Sequence, residues 1–562
     1  TPLRRKVDLD GWWDFVIDSD DQGEQARYFS DFPFDESRHT TVPGVWETQA
    51  GYEDYQGVAW YRKEFEAPWM GPCLITFGAV AYIAKVWLNG EYLGEHEGSF
   101  TAFRFIGNLS LDVNDLVVRV DNRHSDETLP KETADWYHYG GISRSVVCEE
   151  IDDAYIEQVH VVGRLDGQVD VRATIVNGSD REQDLELALS VPDAEATART
   201  VTLGPGVRVV EELRVRIDEP QWWSPADPVL YEAIVTLGED MFVERFGLRE
   251  VRTDGPQILL NGEPIWLRGV NRHEDHPDWG FALPERIMLK DIDIILSLNC
   301  NAVRGSHYPN HPTFLDLCDE NGLLFFAEIP GWQYSAHQLS HSPTKDLLGV
   351  MLQEMVAQQY NHPSIIIWSL HNESETDVSR EPDLDVRTAT EELFALARSL
   401  DDTRLITYVS HRYWRDKHFD LADIVCLNEY IGWYVDEIDG ADFPAYLERM
   451  AEMVPDKPIL ITEFGAGGIP GYHSMAARKW SEEHQSTHII AQIEAMRRSA
   501  NVAGCFVWQY CDVLANPKAA IRRPRAMNNK GLVDEYRRPK LAFHDVAEMF
   551  EILAEEDDWE EE

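Results

Sequence analysis

The chain has 562 residues, 44% of them hydrophobic and 11% aromatic, which is too long for one ordinary core and points to two to four domains. Acidic residues number 100 against 50 basic ones, giving a net charge of −50 that argues against nucleic acid as a partner. No apolar run approaches the roughly 20 residues that span a bilayer, and the opening TPLRRKVDLDGWWDF lacks the apolar stretch of a secretory signal, so no membrane partner is expected.

Residues 1–150 alternate short apolar runs with Gly, Asn and Asp turns, as in GVAWYRKEF, CLITFGAV and DLVVRVDN, the period-two pattern of an all-β sandwich. A second β block over residues 151–249, with QVDVRATIVNG, DLELALSV and LYEAIVTLG, has the length of an immunoglobulin-like sandwich. From residue 250 the period changes. Strand-like runs now alternate with helical patterns, among them one with Leu348, Leu352, Met355 and Gln359 in register and one with Leu393, Leu396, Ala397 and Leu400 on its apolar face. Eight strand candidates fall in this part: IWLRGVNRHE, NAVRGSHYP, LLFFAEIP, SIIIWSLHNE, LITYVSHR, DIVCLNEYIGWY, PILITEFGAG and VAGCFVWQYCD. Their number and spacing over residues 250–562 predict a (β/α)8 barrel. The last residues, AEEDDWEEE, read as a solvated acidic tail. The seven cysteines are odd in number and contain no C-x-x-C, so buried reduced thiols are expected, which favours a cytoplasmic protein.

Polar residues gather at the C-terminal ends of these strands, where a barrel enzyme builds its site. Glu373 ends the fourth strand and Glu463 ends the seventh, so the two carboxylates face each other across the barrel mouth. Such a pair suits glycosidic cleavage, which needs one protonated and one ionised carboxyl. Asn372 can hydrogen-bond a sugar hydroxyl beside the reacting carbon. Glu274, Glu328, Glu375 and Glu429 are rival carboxylates. His273 and His307 lack metal-ligand spacing and are better suited to sugar hydroxyls, so neither a metal nor a cofactor is expected.

The segments GVNRHEDHPDWG, WSLHNES and ITEFGAGG resemble motifs of glycoside hydrolase family 2. LNGEYLGEHEGSFTAF and HYGGISRSV resemble that family's sugar-binding jelly-roll domain, and PQWWSPADPVLYEAIV its immunoglobulin-like domain. The resemblance covers the whole chain in the family's order. It implies a retaining exo-β-glycosidase, with Glu373 as acid/base and Glu463 as nucleophile. Within the family the pattern is most similar to the β-glucuronidases. The Asn-x-Lys motif that binds the sugar carboxylate there falls on Asn528 and Lys530, the tyrosine segment on Tyr430 and Tyr434, an acidic jelly-roll residue on Asp135, and the aromatic floor on Trp508. That subgroup's Arg four residues before the motif Asn is here Pro524, flanked by Arg523 and Arg525; the resemblance leaves either arginine as the carboxylate contact, and Arg525 is placed in the site. The implied substrate is a β-D-glucuronide. A β-galactosidase, a β-galacturonidase and an inactive carbohydrate-binding protein are the alternatives, and a homo-oligomer, dimer or tetramer, is expected.

Lysine is scarce, about a dozen residues, and the acidic runs are spread between the hydrophobic segments, as on the surfaces of halophilic proteins. Self-repulsion of this size is long-ranged at a Debye length of about 30 Å in 0.01 M salt and is screened at about 3 Å in 1 M. The fold is therefore expected to unfold at markedly lower temperature in dilute buffer than in molar KCl. Equal midpoints in the two media would sink the halophilic reading.

Overall fold

The computed structural model describes residues 4–110, 113–341, 343–375, 386–434 and 442–560, with side chains to residue 555. Its first part packs two antiparallel sheets face to face. One has four strands in the order Lys6–Asp8, Val146–Glu150, Gly71–Phe77, Phe103–Leu109; the other has six and includes Gly11–Asp18, Val58–Phe65 and Asn114–Asp121. Alternating inward residues such as Trp13, Phe15, Ile75, Phe77, Val118 and Val120 fill the space between them. The second part pairs a three-stranded sheet (Ala154–Gly163, Gln168–Asn177, Arg208–Arg216) with a four-stranded one (Thr197–Leu203, Gln183–Ser190, Tyr231–Leu237, Asp240–Phe246) around its own apolar core.

The third part is a closed barrel of eight parallel strands, one from each predicted segment: β1 Leu267–Arg272, β2 Ala302–Gly305, β3 Leu324–Glu328, β4 Ile365–Asn372, β5 Leu405–Ser410, β6 Val425–Asn428, β7 Ile459–Phe464 and β8 Val502–Val507. All are buried on both faces, which is why they read as near-continuous apolar runs. Phe326, Ile367, Leu405, Leu460 and Phe506 plug the lower interior, capped from beneath by Trp223 and Leu260. The upper interior is polar, as the strand ends require. The chain is thus multidomain, β plus α/β, with two β-sandwich units and a (β/α)8 barrel.

Two expectations concern helices. The helix Val386–Leu400 buries Val386, Ala389, Thr390, Phe394 and Ala397, while Leu393, Leu396 and Leu400 lie half-buried on its flank. The expected Ala397 thus lies on the inner stripe, with the three leucines packed along its edge. The acidic tail is not free chain, because its backbone continues the helix Leu541–Glu560, whose earlier turns bury Phe543, Val546, Phe550 and Leu553. The connection between β5 and β6 carries a 3₁₀ turn, Tyr413–Arg415.

The first sandwich docks on the top of the barrel. Arg144 is buried in an ion pair with Glu274 at 3.0 Å, Tyr139 donates to Asp275 at 2.8 Å, and Phe100 stacks on Tyr308 with ring centroids 4.0 Å apart. The second supports the barrel elsewhere, with Trp223 donating to the Asp319 carbonyl and Arg249 to the Ile365 carbonyl, each at 2.8 Å.

Candidate active site

A cavity of about 410 Å³ opens where the strand ends meet the first sandwich, and both Glu373 and Glu463 line it. Glu373 follows the last residue of β4 with φ at +51°, a left-handed conformation that a non-glycine residue adopts at a cost. Its amide donates to the Val409 carbonyl at 2.8 Å, so the neighbouring β5 holds the turn in place. Glu463 lies within β7 itself. Two residues on, Gly465 has φ +138°, and a Cβ there would sit 2.9 Å from the Trp508 carbonyl oxygen, so the exit from this strand needs glycine.

Beneath the carboxylates lies Arg304, fully buried at the end of β2. Its guanidinium donates to Glu463 Oε1 at 3.0 Å, to Glu328 Oε2 at 2.8 Å, to Asn372 Oδ1 at 2.9 Å and to Asn271 Oδ1 at 2.9 Å. Burial pushes the Glu328 carboxyl up, but Arg304 and His307 overcome it and bring it down to about 2, so Glu328 is a fixed anion. His307 Nδ1 lies 2.8 Å from Glu328 Oε1, which turns Nε2 toward Glu463, 3.7 Å away. Tyr430 donates to the other Glu463 oxygen at 2.8 Å. Burial pushes Glu463 above the ordinary carboxylate value against the pull of Arg304, and the nearby charge of Glu373 adds to the rise.

Glu373 also has a donor on each oxygen, Asn428 at 2.9 Å and Gln333 at 2.7 Å. Burial acts to raise its pKa, yet His411 and these two amides outweigh it and the net is a lowered value. Asn372 accepts from Arg304 and Asn428 through Oδ1, while its buried Nδ2 has no hydrogen-bond partner among the described residues.

At the far end of the cavity Lys530 is 3% exposed, donates to Asn528 Oδ1 at 3.0 Å, and lies 5.1 Å from the Tyr434 ring centre and 5.7 Å from that of Tyr430. Among the described residues no carboxylate comes within ion-pair distance of it. Arg523 stands beside it, paired with Asp135, which also receives a weak bond of 3.4 Å from Asn528. Trp508 stacks on His307 with centroids 5.1 Å apart and meets His273 edge-on at 5.4 Å.

The structure therefore brings Glu373, Glu463, Asp135, His273, His307, Tyr430, Tyr434, Trp508, Asn528 and Lys530 to one cavity; Asn372 is not in its lining but is hydrogen-bonded to Asn428, which is. Arg525 is not brought there. Its backbone is left-handed at φ +62°, and its guanidinium turns away to Glu535 and Asp512. Arg523 lines the cavity in its stead. The rival carboxylates are occupied: Glu274 by Arg144, Glu328 by Arg304 and Glu375 by Arg412, while burial pushes Glu429 up to about 8 outside the cavity. Arg304, Trp136, Trp332 and Gln333 were not anticipated. The arginine did carry a signal, since a charge inside an apolar barrel strand must be paired; the other three lie on loops whose placement only the assembled fold sets. Replacing Arg304 by Met leaves two buried carboxylates without their cation. A loss of about 3–5 kcal/mol in urea unfolding is expected, and a loss below 1 kcal/mol would show that the hub is not structural.

Residues 251–554 match the TIM barrel domain of glycosyl hydrolases family 2, residues 151–249 match a further domain described as glycosyl hydrolases family 2, and residues 6–152 match that family's sugar binding domain. A β-galactosidase of Thermoanaerobacter pseudethanolicus is 32% identical over 91% of this chain and 68% of its own length. The β-glucuronidase of Rattus norvegicus is 28% identical over 99% and 92%. The crystal structure of a β-galacturonidase from Eisenbergiella tayi bound to galacturonate superposes with a TM-score of 0.90 at 33% identity, covering 98% of this chain and 97% of that one. With all three domains matched in order and a barrel carrying facing glutamates, this chain belongs to glycoside hydrolase family 2.

Proposed function

We propose that the protein is a retaining exo-β-glycosidase acting on β-D-glucuronides. The observation that carries the uronide is Lys530, a buried ammonium with no carboxylate partner among the described residues. Burying a charge unpaired is costly, and a sugar carboxylate at this end of the cavity removes the cost. Arg523 adds a second cation, and Asn528 fixes the ammonium's direction through the 3.0 Å bond. The galacturonide reading is kept as second, because the 33% identical structure with galacturonate bound resembles this chain closely. Asp135, His273 and the buried amide of Asn372 supply partners for sugar hydroxyls, and Trp508 an apolar surface for the ring.

In the first step protonated Glu373 gives its proton to the glycosidic oxygen as Glu463 attacks the anomeric carbon. In the second, ionised Glu373 takes a proton from water, which cleaves the ester on Glu463. With protein groups alone the two pKa shifts run opposite to what the first step needs, Glu373 lowered by His411, Asn428 and Gln333 and Glu463 raised by burial. Substrate supplies the reversal: its glycosidic oxygen is an acceptor that favours the protonated form of Glu373, and a sugar hydroxyl donating to Glu463 favours the ion. We also propose domain limits at residues 1–150, 151–249 and 250–562, a cytoplasmic homo-oligomer, and salt adaptation as the reason for the acidic surface; the seven buried free cysteines support a reducing compartment.

Glu463→Ala is expected to abolish turnover, and Glu373→Ala to slow substrates with poor leaving groups far more than activated aryl glycosides. Equal loss on both substrate types would overturn the acid/base assignment. For the carboxylate contact, the measurement is kcat/KM on aryl glucuronide, galacturonide and glucoside, wild type against Lys530→Ala. Loss of a buried charge partner is worth about 2–5 kcal/mol, so the uronide-to-glucoside ratio should fall by roughly thirty-fold to several thousand-fold. An unchanged ratio would return the site to neutral sugars, and the faster of the two uronides decides the epimer.

A further inference from the structure

Among the described residues two side chains donate to Glu373, Asn428 of β6 and Gln333, which sits on the loop after β3 and outside the barrel strands. Its side chain donates to Glu373 Oε2 at 2.7 Å. Its main chain is held from two sides. The amide donates to the Asn372 carbonyl at 2.8 Å, and the carbonyl accepts from Nζ of Lys131, which belongs to the first sandwich. The residue is left-handed, with φ at +50°, a conformation that glutamine does not hold without outside support. Lys131 is also clamped, with its ammonium 5.4 Å from the Trp332 ring centre and 5.7 Å from that of Tyr334. The same two loops meet again where Tyr334 donates to the Thr128 carbonyl at 2.5 Å.

We propose that Gln333 is a positioning residue for the acid/base carboxylate, and that the first sandwich, through Lys131, holds it in place and thereby sets the pH range of the barrel's chemistry. The inference rests on the assignment of Glu373 made above. A donor on a carboxylate favours the ionised form, so the Gln333 bond lowers the pH at which the acid loses its proton. Asn428, by contrast, is fixed within the barrel: its Oδ1 accepts from Thr462 at 2.9 Å and its Nδ2 is shared between Asn372 and Glu373. The barrel therefore orients one carboxylate oxygen, and the sandwich reaches across to orient the other.

The test is the alkaline limb of kcat/KM, which reports ionisation of the acid in the free enzyme, measured on whichever aryl glycoside the protein hydrolyses. Glu373→Gln comes first: loss of the limb there assigns it to Glu373, and its persistence would overturn the acid/base reading itself. Gln333→Met removes the donor and keeps the bulk. The limb is expected to move to higher pH, by about half to one unit for an exposed donor on a charged group. Lys131→Met should move it the same way by less. On the Gln333→Met background Lys131→Met should move it no further, because the lysine acts through the glutamine. A limb that disappears in Glu373→Gln but stays put in Gln333→Met would overturn the present inference alone. Additive shifts in the double variant would reduce Lys131 to a distant charge and overturn the role of the sandwich. Thermal midpoints of each variant separate these outcomes from loss of fold, which leaves the limb in place and lowers only the amplitude.

Discussion

Everything in the cavity is referred to the guanidinium of Arg304. It is planar, always charged and fully buried, so it must be surrounded by acceptors, and the barrel supplies them from β1, β3, β4 and β7 at once. Each acceptor is thereby fixed in direction. Glu463 is held with one oxygen on the arginine, Asn372 is turned so that its free amide points elsewhere, and Glu328 becomes a permanent anion that fixes the tautomer of His307. A lysine in this place would offer a point charge and could not set four directions together.

The barrel was legible because parallel strands buried on both faces leave long apolar runs, and because their polar ends stand out against them. Glu373 and Glu463 were found for that reason, and the strand segments around them fell where expected. The choice between Arg523 and Arg525 could not be read from sequence because it depends on one left-handed residue: at φ +62° the loop sends Arg525 outward and leaves Arg523 facing the cavity. On the helix Val386–Leu400 the expected Ala397 is buried and Leu393, Leu396 and Leu400 pack half-buried against the core, but Ala389, Thr390 and Phe394, which complete the inner stripe, were not named because two of them are small or polar and stand out less than leucines. Gln333 and Trp136 had no signal, being ordinary residues on loops from different domains that only assembly brings together.

The first sandwich is consequently part of the site and not an appendage. It supplies Asp135 and Trp136 to the lining, Lys131 to the Gln333 loop, and a buried ion pair, Arg144 with Glu274, that ties it to the end of β1. Trp136 lies 5.5 Å from both His273 and His307 and 6.0 Å from Trp332, closing the aromatic wall that the barrel leaves open. The barrel alone would present its carboxylates to water with one flank missing.

The ammonium of Lys530, which has no carboxylate partner among the described residues, has a consequence for traffic into and out of the cavity. The protein as a whole carries −50, so an anionic sugar approaches against the field of the surface and meets attraction only inside. Long-range repulsion slows encounter while the buried cation, shielded from solvent, is little affected by salt. Raising ionic strength thus lowers the barrier to entry more than it weakens the grip at the end of the journey. On the proposed uronide activity, the free uronic acid formed by hydrolysis faces the same field from the other side, and once past the rim it is driven away. An acidic exterior around a pocket whose cation, Lys530, is buried at its far end makes return of an anionic product slow, and so favours clearance over rebinding.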